Sequence, residues 1–381
     1  MKITDVQTIK LSLPTDEWMM VVIETDQGIT GWGEVTGSCD DDGLAGILEE
    51  TRKQLIGKNP LHIQECTESF RKWSYPTLNV IRTYATALSG SDQALWDLTA
   101  KYYKVPLYKL YGADGKKEIP LYANLNKAIR SRREPEVLQE QGEKAIKAGF
   151  RMVKCTPFDE INPLNADNEF ERAYSRMEAL LDVVPIHQVS IDCHQRFSGY
   201  TLGRMVEHVV NRYGVPYWIE DPVEVSDFDT IRAMRQRYPF IRWAAGEDAL
   251  TVKQIMTVMN SGCYDVIMPD IKYVGGVSAA KAVLPAVEGC GGKATMHNPN
   301  GLIATAHSAH VTAMIQDSLP MEYPFDAVKD REELCFQKEL VRDGKYVLSD
   351  EPGIGVSISS QALREYGQRF FKNQWEKYNG E

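Results

Sequence analysis

The feature that most restricts the fold is a series of short apolar runs between Val189 and Glu322, each ending in a charged residue. Val-Ser-Ile-Asp ends at Asp192, Tyr-Trp-Ile-Glu at Glu220 and Trp-Ala-Ala-Gly-Glu at Glu247. Val-Ile-Met-Pro-Asp ends at Asp270, Lys-Ala-Thr-Met-His at His297 and Leu-Pro-Met-Glu at Glu322. The runs recur every ~25 residues, about the length of one strand–helix unit in an α/β barrel. A short apolar run bounded by turn signals reads as a buried parallel strand. In such a barrel all strands point one way, so their last residues share the rim where chemistry is done. Carboxylates and an imidazole gathered there are expensive to bury unless paired or bound to metal. The economical reading is a divalent cation held by some of them, with the others acting on a substrate.

The rest of the chain supplies a companion. Residues 1–13, 18–24 and 29–35 read as an antiparallel meander, with Asp26-Gln27-Gly28 as a hairpin turn. Helical periodicity follows over 42–55, 60–72 and 81–105, where Pro106 stops it, and a short turn spans 107–111. Strands then alternate with helices: 119–124 ending at Asn124, helix 134–148, strand 151–156 carrying Lys154, helix 168–181. Residues 1–118 are therefore expected to form an α+β capping domain and 119–344 a barrel catalytic domain. A terminal helix over 360–371 and the tail through Trp375 are expected to place 345–381 back on the cap. Trp18, at a strand start, would contact substrate if the cap sits over the barrel mouth; its alternative place is the sheet core.

Composition excludes several roles. At 381 residues there is room for two domains. A net charge of −10 argues against nucleic acid as a partner, since phosphate binding wants a basic patch. No apolar run approaches the ~18 residues of a membrane span, and the N-terminus shows no signal-peptide pattern. Seven cysteines without C-x-x-C spacing read as reduced thiols, so the expected location is cytoplasmic.

Asp192, Glu220 and Glu247 are the candidate metal ligands, and hard carboxylate oxygens suit Mg²⁺. Asp270 and His297 end consecutive strands about 4.8 Å apart, so the carboxylate can hold the imidazole and raise its basicity for acid–base work. His194, two residues beyond Asp192, is a candidate second acid. Lys154 would stabilise a developing oxyanion. Glu322 would accept a substrate hydroxyl or orient its neighbours.

These residues lie in a chain that resembles the enolase superfamily, in its mandelate racemase-like branch. The resemblance spans nearly the whole chain. It is carried by Gly-Trp-Gly-Glu at 31–34, Ala-Leu-Ser-Gly-Ser-Asp-Gln-Ala-Leu-Trp-Asp at 87–97, Ile-Glu-Asp-Pro at 219–222, Ala-Gly-Glu at 245–247 and Pro-Asp-x-x-x-x-Gly-Gly at 269–276. It implies a modified (β/α)₇β barrel under an α+β cap, Mg²⁺ on Asp192, Glu220 and Glu247, abstraction of a proton α to a carboxylate, and a symmetric homo-oligomer such as an octamer. Within the branch the chain is most similar to sugar-acid dehydratases of the galactonate dehydratase type, through the short connection into Trp18-Met19-Met20, Asp192-x-His194 and the Asp270–His297 dyad. Asn373-Gln374-Trp375 is a weaker echo. Racemases of the branch carry Lys-x-Lys where this chain has Lys154-Cys155-Thr156, which disfavours a two-base lysine–histidine racemase. Thr156 and the run His297-Asn298-Pro-Asn-Gly301 also differ from galactonate dehydratase, at the rim where substrate hydroxyls are read. With Asn124, the residues Thr156 and Asn298 are candidate substrate contacts.

The function expected from this reading is a Mg²⁺-dependent dehydratase that turns a small sugar acid into a 2-keto-3-deoxy acid. A cycloisomerase opening an anhydro-sugar or lactone ring uses the same site with a ring oxygen as leaving group. An epimerase using His297 and His194 is third, and a non-catalytic regulatory homologue fourth.

Overall fold

The computed structural model describes residues 1–37, 40–68, 70, 80–113, 115, 117–162, 167–337 and 339–379. Cys39 and the end of the expected helix 60–72 lie outside the described residues; within that helix, 63–68 are helical. No described helix is long and apolar enough to cross a membrane.

The first sheet is built from β1 (Ile3–Ser12), β2 (Glu17–Thr25) and β3 (Thr30–Glu34), an antiparallel meander. The long helix Arg82–Tyr102 crosses it. The two approach so closely that a Cβ on Gly31 would collide with the Ala94 carbonyl, and one on Gly33 with that of Gly90. This is why Gly-Trp-Gly-Glu and the small-residue stretch around Gly90 occur together: strand and helix backbones meet where no side chain fits.

The second sheet begins with β4 (Glu118–Asn124) and continues through β5 (Val153–Cys155), β6 (Val189–Asp192), β7 (Trp218–Glu220), β8 (Trp243–Ala245), β9 (Val266–Ile267) and β10 (Lys293–Ala294), all parallel. On its other side β4 pairs in parallel with β11 (Met321–Pro324). The seam between β10 and β11 is loose. There the Glu322 N–H meets Met296 O at 3.5 Å, and the Thr295 hydroxyl donates to Pro320 O at 2.8 Å. Eight parallel strands with helices between them are the modified α/β barrel that the apolar runs predict.

Alternation along these strands builds the floor of the site. Leu121, Val153, Ile191, Ile219, Trp243 and Ile267 join the large core under the helices. Tyr122, Met152, Trp218, Ala244, Val266 and Met268 form a separate small cluster, the barrel interior. Tyr122 and Trp218 meet there edge to face at 5.4 Å. Two residues further along each strand the side chain points the same way. That next layer holds Asn124, Lys154, Asp192 and Glu220, so a polar layer rests on an apolar one.

Two expectations at the C-terminus are corrected. The helix runs only over Ser360–Tyr366. Gly367–Phe371 is a strand, because it pairs with β1 (Ile9 opposite Arg369) and forms a hairpin with the strand Gln374–Lys377. The hydrogen-bond partner lies at the opposite end of the chain, invisible to local periodicity. Lys345–Val347, expected on the cap, pairs instead with β4 and so extends the barrel sheet.

Candidate active site

Strand register sets the first half of the site. Asp192 and Glu220 end β6 and β7 directly opposite one another. Glu247 lies beyond the end of β8. Gly246 takes φ +124°, a conformation open chiefly to glycine, and turns the chain so that Glu247 follows directly at the rim. One oxygen from each of Asp192, Glu220 and Glu247 lies within 4.8 Å of the others.

A bridge between Asp270 and His297 extends β9 and β10 and sets the second half. Asp270 Oδ2 holds His297 Nδ1 at 2.9 Å and also accepts from Asn300 Nδ2 at 3.3 Å, while Oδ1 accepts the Lys272 N–H at 2.7 Å. The other ring nitrogen, Nε2, faces Glu247 Oε2 at 2.9 Å and Glu322 Oε2 at 3.8 Å. Burial works against the charged imidazole, but Glu247, Glu322 and Asp270 together hold its pKa well above the ordinary histidine value.

His194 stands at a second carboxylate of the triad, Asp192. Its Nε2 is 3.2 Å from Asp192 Oδ2, and its Nδ1 is 2.7 Å from Asp159 Oδ1. Burial lowers its pKa, yet Asp192 and Asp159 push it up to about 11. The backbone at His194 has φ +43°, unusual for a residue with a Cβ.

Lys154 is the centre of the polar layer. Its ammonium contacts Glu220 Oε1 at 2.8 Å, Glu322 Oε1 at 2.8 Å and Asp192 Oδ2 at 3.2 Å. Burial opposes this charge, and the carboxylates outweigh it, raising the lysine's pKa well above its usual value. Glu220 shifts upward through burial and the neighbouring Asp192, Glu322 and Glu247, with Lys154 opposing. Glu322 is fixed on both oxygens, accepting from Asn124 Nδ2 at 2.5 Å and from the Asn298 N–H at 2.8 Å.

The remaining candidates face inward. Trp18 is buried in the large core that the first sheet shares with the barrel, its indole N–H donating to Asp16 at 3.2 Å. Thr156 bonds Asn126 Oδ1 and accepts from Arg133 Nη1 at 2.8 Å. Asn298 donates its amide to Thr305 Oγ1 and Glu322 O. Sequence reasoning gave no role to Asp159 or Arg133, which are paired at 2.9 Å; Asp159 in turn holds His194. It also passed over Asp221, a buried fourth carboxylate whose pKa is raised by burial, Glu247 and Glu220. The Asp221 that follows Glu220 in Ile-Glu-Asp-Pro was the available signal. Arg82, from the first part of the chain, pairs with Asp248 beside Glu247. A cavity of about 480 Å³ opens over these groups, lined by Asn124, Lys154, Asp192, His194, Glu247 and His297, with Thr15, Asp16 and Arg82 contributed by the first part of the chain.

The donor set fits a small hard cation. Asp192 Oδ2 and Glu247 Oε2 are buried without an aligned hydrogen-bond donor, although a lysine or histidine nitrogen lies near each. Ligand oxygens on opposite sides of Mg²⁺ lie about 4.2 Å apart, given its ~2.1 Å bonds. The spread of the triad is close to that span.

Comparison with known families agrees with this geometry. Residues 2–112 match the mandelate racemase/muconate lactonizing enzyme N-terminal domain, and 137–362 match the enolase C-terminal domain-like family. The chain belongs to the mandelate racemase/muconate lactonizing enzyme family of the enolase superfamily. Among characterised family members, it is 27% identical to D-xylonate dehydratase of Haloferax volcanii over 96% of this chain and 89% of that one. It is 25% identical to D-galactonate dehydratase of Ralstonia pickettii, over 96% and 94%. Solved structures share the fold. An enolase superfamily member from Salmonella Typhimurium superposes with a TM-score of 0.85 at 23% identity, covering 97% of this chain and 100% of that one. A mandelate racemase/muconate lactonizing enzyme-like protein from Rubrobacter xylanophilus gives 0.85 at 24%, covering 99% of each. Members of the superfamily bind a divalent metal, and the Asp192, Glu220 and Glu247 cluster could hold one here.

Proposed function

We propose that the chain is a Mg²⁺-dependent sugar-acid dehydratase. The observation that carries this reading is the placement of two imidazoles, each with Nε2 against a different carboxylate of the triad: His297 at Glu247 and His194 at Asp192. A sugar acid whose carboxylate is held at the triad then has a base and an acid within reach. The dehydratase relatives support the substrate class.

Asp192, Glu220 and Glu247 would hold the cation, which supplies positive charge to the substrate carboxylate as it becomes an enediolate. With Glu247 given over to the cation, its hold on the His297 proton would be lost, and Nε2, oriented by the Asp270 contact at Nδ1, would take the C2 proton. The electron pair moves into the carboxylate, where the Lys154 ammonium balances the added charge. It returns to form the C2–C3 double bond as the C3–O bond breaks. His194, kept protonated by Asp159 and Asp192, gives its proton to the departing hydroxyl, which leaves as water. The resulting enol becomes a 2-keto-3-deoxy acid. In the same reading the protein works in the cytoplasm as a homo-oligomer, with 1–118 as the cap and the barrel beginning at 119.

The test is a set of aldonic, aldaric, uronic and anhydro-sugar acids incubated with Mg²⁺ in D₂O and followed by proton NMR. A 2-keto-3-deoxy product with deuterium at C3 is expected. A ring-opened product from an anhydro acid would make the chain a cycloisomerase, exchange at C2 alone an epimerase, and no reaction with any acid would overturn the proposal.

A further inference from the structure

Two motifs, Gly-Trp-Gly-Glu at 31–34 and Ser-Gly-Ser-Asp-Gln at 89–93, have no part in the chemistry above. The structure shows what they touch. The helix Leu302–Thr312 follows the loop that begins at His297, and its N-cap residue, Gly301, offers no side chain. Glu34, at the end of β3, fills that role: Oε1 accepts the Gly301 N–H at 2.7 Å and Oε2 the Ala304 N–H at 2.9 Å. The carboxylate is buried, and a Cβ on Gly301 would run into it. The helix Gly276–Gly289 follows the loop that begins at Asp270, and its N-cap, Gly275, is equally bare. Asp92 accepts the Ser278 N–H at 2.9 Å and the Ser278 hydroxyl at 2.5 Å, while Ser89 Oγ accepts the Gly275 N–H at 3.0 Å. Here too a Cβ, on Gly276, would collide with Asp92.

The three helices after the triad strands cap themselves. Ser198, Asp227 and Thr251 accept from the backbone of their own first turns. Among the described residues, carboxylates from the first sheet and its helix therefore cap the two helices whose leading loops start at Asp270 and His297. An anion at a helix N-terminus satisfies orphan N–H groups and opposes the helix dipole, so each carboxylate fixes where its helix, and the loop before it, begins. Asn300, in the His297 loop, is bonded in turn to Asp270.

We infer that Glu34 and Asp92 are positioning residues for the Asp270–His297 dyad: the first part of the chain supplies the caps that set the base, while the helices after the triad strands supply their own. The kinetic side of this inference rests on the function proposed above. The test compares Glu34→Gln and Asp92→Asn with wild type, each loaded with Mg²⁺. Glutamine keeps one acceptor but turns an N–H donor toward the second helix N–H. Hydrogen–deuterium exchange is expected to speed up about tenfold or more at residues 299–306 in Glu34→Gln and at 275–280 in Asp92→Asn, with 193–203 unchanged. Turnover is expected to fall about 10–100-fold, as for outer partners of metal and catalytic groups. KM and Mg²⁺ affinity should stay within about twofold, and the isotope effect from C2-deuterated substrate should rise as proton abstraction becomes limiting.

Unchanged exchange in both variants overturns the inference. So does even acceleration over both halves with turnover and Mg²⁺ affinity falling together, which is what a merely structural role gives. Asp92→Asn retains an acceptor for Ser278 and covers the case in which Glu34→Gln does not accumulate. If wild type acts on no sugar acid, the proposed function fails, and the exchange pattern still decides this inference.

Discussion

The two halves of the barrel rim are built by different rules. On the triad side, each strand end is followed by a helix with its own cap: the Ser198 capping box, Asp227 and Thr251. On the dyad side, the helices start at glycines and receive Glu34 and Asp92 from the other part of the chain. The dyad-side helix Leu302–Thr312 is buried along nearly its whole length, so it presents histidines to neighbours where other helices meet water. His307 Nε2 donates to Trp32 O at 2.9 Å. His310 accepts the Tyr108 N–H on Nδ1 and donates from Nε2 to Ile354 O. The helices that follow the triad strands are thus capped from within the barrel, although Arg82 still reaches Asp248 beside Glu247, whereas those that follow the dyad are capped from outside it.

Substitutions at the two halves should therefore separate binding from chemistry. The largest effect is expected for His297→Asn: loss of turnover by about a thousandfold or more with Mg²⁺ binding retained, checked by calorimetric titration alongside the NMR assay. Full activity in this variant would sink the assignment of the base.

Acid should undo the dyad side first. His307 and His310 are kept neutral by burial, with pKa values lowered to about 4 and about 3. A second proton on His307 would fall on Nδ1, which is buried without an acceptor. The unfolded chain protonates both near pH 6.5. Their contribution is therefore intact above pH 6.5 and is lost as pH falls toward 4 and 3. At pH 5 the two together should cost on the order of 4 kcal/mol. Unfolding by denaturant at pH 7 and pH 5, wild type against His307→Asn, measures it; equal losses in both proteins would assign the acid sensitivity elsewhere.

At the triad, Asp192→Asn is expected to weaken Mg²⁺ binding by about 100-fold or more, with the His297 side unaltered in exchange experiments. The smallest effect belongs to Ser198→Ala. Losing a self-supplied cap should cost about 1 kcal/mol of stability and leave turnover per folded molecule unchanged. A clear fall in turnover there would erase the contrast between the halves.

Much of this was legible in the sequence because charge at a strand end is a local signal. The spacing of Asp192, Glu220, Glu247, Asp270, His297 and Glu322 was enough to place their side chains around one rim. What a polar rim residue does next is not local. Thr156 and Asn298 are of the right type and in the right place, yet each is consumed by neighbours that the fold supplies: Asn126 and Arg133 for one, Thr305 and Glu322 for the other. Asp159 could be given no role because it lies in a loop with no periodicity, and its importance comes only from where His194 ends up. The strand Gly367–Phe371 read as helix for the same reason, since its partner is more than three hundred residues away.

That pairing has a consequence for how the protein meets its neighbours. The strand Gly367–Phe371 lies along the edge of β1. If this segment comes away, the meander is left with an outer strand whose hydrogen-bonding groups are open, the kind of edge that recruits other strands. Detachment of one hairpin, with the barrel intact, would therefore be enough to expose the first sheet to misassembly.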